Sequence, residues 1–182
     1  MVLFSLIGHE LAHCLVAREF NYDTKDITIM ALGGVAQIAR ASKMSAKENF
    51  LMSIAGPTFN LFCVIILFIP AIILINTFLG LTICYAMAIN LIMFGFNMLP
   101  AYPLDGSRVF GAVIEYFFGK QKSILMTTWI SLASGVCICF FGGISGSIFI
   151  LIIGFIVCFI SSPALIRKIQ NTFRFKNDRF NV

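Results

Sequence analysis

Five stretches of this chain, residues 1–17, 50–75, 78–99, 124–141 and 147–160, are almost wholly apolar, and each comes close to the roughly 20 residues with which a helix spans a bilayer. Little chain is left between them for a second folded unit, and no linker, low-complexity tract or internal repeat interrupts the series. Composition points the same way. Hydrophobic residues make up 59% of the chain and charged residues 12%, about half the charged share of an ordinary soluble domain. The surface implied by that balance faces lipid. We therefore expect an all-α polytopic membrane protein with about five transmembrane helices, with residues 1–166 forming one domain and residues 167–182 a basic tail.

The six cysteines fall inside the apolar stretches with no Cys-x-x-Cys pair, so they read as small packing residues and not as a disulfide framework. The first stretch lacks the positive leader of a signal peptide and is interrupted by His9, Glu10 and His13, so it reads as mature structure. All thirteen basic residues lie in residues 18–47, in residues 105–122 or in the tail, whereas the intervening turns at 76–77 and 142–146 carry none. The positive-inside rule then places both loops and the tail in the cytoplasm, with Met1 on the far side of a cell membrane. In the tail, five cations alternate with Phe173, Phe175 and Phe180. That pattern suits a bilayer with an anionic inner leaflet at about 1 kcal/mol per basic residue, and no feature beyond charge suggests nucleic acid.

Both histidines of the chain occur in His9-Glu10-Leu11-Ala12-His13. Residues four apart share one helix face, so the two imidazoles converge while the carboxylate stands about 100° round from the first. This is the arrangement of a zinc ion with a general base. Ionisable groups within a membrane helix are costly and mark functional sites, which weighs against a pair of core histidines satisfied by hydrogen bonds. Catalytic zinc takes three protein ligands and keeps one position for water, and no third histidine exists. Among the carboxylates, only Glu10 and Asp105 lie near membrane depth, so Asp105 is the candidate third ligand. It ends the stretch Asn97-Met98-Leu99-Pro100-Ala101-Tyr102-Pro103-Leu104-Asp105-Gly106, whose two prolines bar regular helix. Non-helical backbone at that depth is tolerated where it is buried in protein or lines a cavity. The alternative is that Asp105 merely caps a helix over residues 106–118.

Taken together, His9-Glu10-Leu11-Ala12-His13 and the run from Asn97 to Gly106 resemble the His-Glu-x-x-His and Asn-x-x-Pro-x-x-x-x-Asp-Gly motifs of the site-2 proteases, intramembrane zinc metalloproteases. The likeness covers most of the chain. It implies one zinc per chain held by His9, His13 and Asp105, with Glu10 as catalytic base and single-span membrane proteins as substrates. Gly56-Pro57-Thr58-Phe59-Asn60 resembles the family's Gly-x-x-x-Asn. By the same likeness, Asn97 is an oxyanion donor, and Asn60 either serves likewise or positions the Asp105 loop. Residues 27–38 read as two short β-runs about a Gly33-Gly34 turn, which the resemblance makes a short membrane-associated hairpin whose edge could receive substrate as an added strand; a plain cytoplasmic hairpin is the alternative. Most relatives carry a membrane helix before the one bearing His-Glu-x-x-His, so one more helix is expected upstream if Met1 is an internal start.

Two rival readings compete with this one. Gly143-Ile144-Ser145-Gly146 matches the Gly-x-Ser-Gly of rhomboid serine proteases, but no histidine follows His13 to act as the base. A membrane transporter or metal-ion permease is the rival from another class, because intramembrane histidines and carboxylates also bind transported ions.

Overall fold

The computed structural model describes residues 1–22, 24–30, 33–38 and 44–162, the segments 24–30 and 33–38 by their backbone alone. Element order is α1 (Val2–Glu19), β1 (Thr24–Met30), β2 (Gly33–Ile38), α2 (Ala46–Ile73), α3 (Phe78–Asn97), α4 (Asp105–Phe118), α5 (Lys120–Ser145) and α6 (Ile148–Ile160). The chain divides into two compact units, Met1–Leu99 and Pro100–Val182. The tail at 167–182 and the domain boundary expected at residue 166 lie outside the described residues.

The expected fold class needs correction. Among the described residues three helices, not about five, are long and apolar enough to cross a membrane: α2, α3 and α5. Apolar composition alone overstated the number. In α1, 18 residues carry Glu10, Arg18 and Glu19, and α6 has 13 residues, about 20 Å of helix against a hydrocarbon core of roughly 30 Å. The hairpin expectation is corrected as well. β1 and β2 pair antiparallel with Met30 opposite Gly33 and Ile29 opposite Gly34. The two glycines thus open β2 and do not form the turn, which leaves residues 31–32, outside the described residues, between the strands. Nothing described places this pair in a membrane, so the membrane-associated hairpin and its substrate-pairing edge are withdrawn.

In the first unit, α1 packs on α2 and α2 on α3. Asn21 closes α1 in the left-handed region at φ 58°, a conformation asparagine tolerates. The next residue, Tyr22, donates from its hydroxyl to Glu48 Oε2 at 3.1 Å. Glu48 also accepts from the Ser45 backbone N–H at 2.7 Å, while Ser45 Oγ accepts from the Glu48 N–H. This reciprocal cap satisfies two of the donors that a helix start leaves over, and Tyr22 ties it to the end of α1. A second polar tie runs from Asn90 Nδ2 on α3 to Ser5 Oγ on α1 at 3.0 Å. Glycine permits the closest approaches. A side chain at Gly8 would strike the Phe59 ring, and one at Gly80 would strike the Leu74 carbonyl.

In the second unit, α5 packs against α4 and α6. Between α5 and α6 the contacts again depend on small residues, since a Cβ at Gly135 would lie 2.7 Å from Cys158 Sγ and one at Gly142 would lie 2.7 Å from the Leu151 backbone N. Small residues let backbones meet where lipid offers no hydrophobic drive between helices. Ser145, the residue of the rhomboid-like match, is the last of α5 and donates to the Gly142 carbonyl. Its position is that of a helix end. Within both units the buried positions include Ser53, Asn60, Thr127, Ser131 and Ser161, whereas Phe62, Ile65, Phe140 and Phe155 are exposed. Apolar groups outside and small or polar groups inside are what a lipid solvent demands, and the chain is an integral membrane protein.

Candidate metal centre

Every fourth residue of α1 from Ser5 is buried: Ser5, His9, His13 and Ala17. The α-helix makes this stripe unavoidable, because side chains four apart lie one above the other, and its two histidines face α2. Glu10 is also buried, beside the stripe. His13 Nδ1 lies 2.7 Å from the Met52 carbonyl oxygen. A carbonyl can only accept, so Nδ1 carries the proton. His9 Nδ1 lies 3.1 Å from Asn60 Oδ1, which fixes the same tautomer on the second ring. Each neutral imidazole therefore presents Nε2 as its lone-pair nitrogen, and the two Nε2 atoms stand 3.2 Å apart.

Two lone pairs aimed at each other repel unless a cation lies between them. A tetrahedral zinc ion with Zn–N bonds of about 2.0–2.1 Å sets its nitrogen ligands about 3.3 Å apart, close to the observed separation. The space beside the two nitrogens is kept open by Gly56 on α2, where an added Cβ would lie 2.6 Å from His9 Nε2 and nearer still to His13 Nε2. The pair fits zinc by tautomer, by spacing and by room.

Asn60 is fully buried, and among the described residues its Nδ2 has no hydrogen-bond partner. It was expected either to serve as an oxyanion donor or to position the Asp105 loop. Its carbonyl oxygen lies on His9 and holds that ring in one orientation. We expect Asn60→Ala to weaken zinc binding about 10- to 100-fold, the usual cost of removing a partner of a metal-bound histidine. Competition with a chromophoric chelator would check this, and wild-type affinity would show that the ring needs no such support. Asn97 ends α3 and is half-buried.

Asp105 belongs to the second unit. It is the first residue of α4, and the N-cap position is held by Leu104, so Asp105 is not the cap. Burial pushes the Arg108 guanidinium below its usual pKa, while Asp105 and Tyr102 pull it up.

Sequence reasoning missed Met52, whose carbonyl fixes one tautomer, because a backbone acceptor has no signature. It also missed the Ser5–Asn90 contact. A signal existed there, since Asn90 is an amide in the middle of an apolar run and such residues seldom lack a role.

The sequence profile described as peptidase family M50 matches residues 1–80. A zinc metalloprotease of Methanocaldococcus jannaschii is 28% identical over 160 residues, covering 87% of this chain and 46% of that protein. Stage IV sporulation protein FB of Bacillus subtilis is 28% identical over 141 residues, covering 76% of this chain and 46% of that protein. The chain thus spans less than half the length of these curated relatives. Among solved structures, the site-2 protease from Methanocaldococcus jannaschii superposes with a TM-score of 0.66 at 28% identity, over 88% of this chain and 73% of that one.

Proposed function

Since the chain belongs to the site-2 protease family, peptidase family M50, we propose that it is an intramembrane zinc metalloendopeptidase, hydrolysing peptide bonds within or near the transmembrane segments of membrane-anchored proteins. The observation that carries this reading is the pair of Nε2 atoms 3.2 Å apart, each in the tautomer that offers a lone pair. His9 and His13 would hold the ion, with Asp105 as the proposed third ligand. Asp105 is supported by chemistry, because two histidines leave a catalytic zinc one protein ligand short.

Zinc held there supplies a Lewis acid that activates water and polarises the scissile carbonyl. Glu10 is the chain's own acid–base group: it takes a proton as water adds to the carbonyl carbon, and returns one to the leaving amine as the C–N bond breaks. Its burial beside the ligand stripe excludes bulk solvent from that transfer. Asn60 holds His9 in orientation, and Asn97 is the candidate donor to the carbonyl oxygen. Substrates are single-span membrane proteins. The loops at 18–47 and 105–122 face the cytoplasm, against the anionic inner leaflet of the cell membrane, with their basic residues supporting that orientation. The names of the relatives point to proteolysis and not to the permease reading.

Co-expression with a library of single-span membrane proteins, comparing wild type with Glu10→Gln, tests the activity. For the ligand set, we expect about one zinc per chain in wild type and a marked loss in Asp105→Ala. Full occupancy in Asp105→Ala, by elemental analysis of purified protein, would take Asp105 out of the site.

A further inference from the structure

The non-helical run from Pro100 to Leu104 has backbone groups that no helix or strand can satisfy, and three hydroxyls of the second unit bear on it. Tyr102 donates its backbone N–H to Ser131 Oγ at 2.6 Å, and Ser131 Oγ lies 2.6 Å from Ser161 Oγ. Ser134 Oγ approaches the Pro100 carbonyl at 3.3 Å, but it also donates to Ile130 O at 3.0 Å. Ser131 lies on α5, and Ser161 follows the last residue of α6. Ser131, Ser161 and Ala101 are all 0% exposed. One hydroxyl, that of Ser131, thus holds the amide three residues before Asp105, and a second, that of Ser161, holds the first.

We propose that the Ser131–Ser161 pair positions Asp105 as a metal ligand by fixing the backbone at Tyr102. The inference rests on Asp105 being the third ligand. An amide shielded from water and left without an acceptor is costly, so the loop would move to find another partner if Ser131 lost its hydroxyl. Leu104 N–H bonded to Ala101 O at 2.8 Å, and Ser107 Oγ bonded to Leu104 O at 2.7 Å, make the segment from residue 101 into α4 a connected turn. A shift at Tyr102 is therefore carried to the first residue of α4. Ser131 touches neither substrate nor reacting atoms and is a positioning residue.

The test measures zinc affinity by chelator competition on the full chain in detergent, well below its melting temperature, with hydrogen exchange of the peptide containing Tyr102 as a second readout. Ser131→Ala should weaken zinc about 10-fold, the lower end of the usual cost of losing a supporting group, and should speed exchange at Tyr102. Ser161→Ala should shift both in the same direction, and Ser134→Ala should change neither. A serine that only stabilised the fold would lower the melting temperature and leave zinc affinity unchanged. Folded Ser131→Ala with wild-type affinity, while Asp105→Ala loses it, overturns the positioning role alone. If Ser131→Ala does not fold, Ser161→Ala decides by the same criterion. Unchanged affinity in Asp105→Ala removes the ligand assignment, and the positioning role with it.

Discussion

Glu10→Gln should bind zinc as wild type does and cleave about 10²- to 10⁴-fold more slowly, the usual cost of deleting a general acid–base. The two properties separate because of where Glu10 sits. His9 and His13 share a stripe of α1 with Ser5 and Ala17, whereas Glu10 is buried one residue round from it. Glutamine has the same shape and no charge, so neither the packing against α2 nor the pair of Nε2 atoms needs to change. What is lost is a group able to accept a proton near neutral pH. The measurement is paired: zinc per chain by elemental analysis, and turnover of a single-span substrate in the same preparation. Near wild-type turnover with zinc retained would mean that another group moves the proton. Loss of zinc would mean that the carboxylate helps to hold the site and that its role is structural. Persistent ion flux in this variant would revive the permease.

Much of the site was legible because its central geometry is local. His9, Glu10 and His13 lie within one turn and a half of a single helix, and the spacing alone fixes which side chains converge. Asp105 was reached by elimination, since few carboxylates sit near apolar sequence. What could not be read were contacts between helices. Asn60 meets His9 from 51 positions away, and Met52 meets His13 from 39. No periodicity encodes which face of α2 turns toward α1, so the contact of Asn60 with His9 has no signature in the sequence. In the fold, apolar runs located the helices well but overstated how many described helices are long and apolar enough to cross a membrane, because a stretch can be hydrophobic and still be short, as in α6, or carry charge, as in α1. The Gly33-Gly34 pair misled for a different reason. Glycine permits a turn without demanding one, and strand pairing places both residues opposite Ile29 and Met30.

Gly56→Ala is expected to weaken zinc binding by about 100-fold or more, although Gly56 has no side chain and is not a ligand. An alanine Cβ there would stand 2.6 Å from His9 Nε2 and 2.7 Å from His9 Cε1, and it would collide with His13 Nε2. It would fill the space beside both donor nitrogens. The rings could escape only by rotating, but their Nδ1 atoms are tied to Asn60 and to the Met52 carbonyl, so rotation breaks the bonds that set the tautomers. Losing one supporting partner of a metal-bound histidine already costs about 10- to 100-fold. Displacing both nitrogens should cost more. Gly8→Ala provides the control at the same α1–α2 contact, since its Cβ would meet the Phe59 ring and not the histidines. Overpacking there should lower stability by about 1–3 kcal/mol while the folded protein keeps its zinc. Melting curves and chelator competition on the two variants separate packing from metal binding. Should folded Gly56→Ala hold zinc with wild-type affinity, the two Nε2 atoms could not be the ligand pair in the arrangement described.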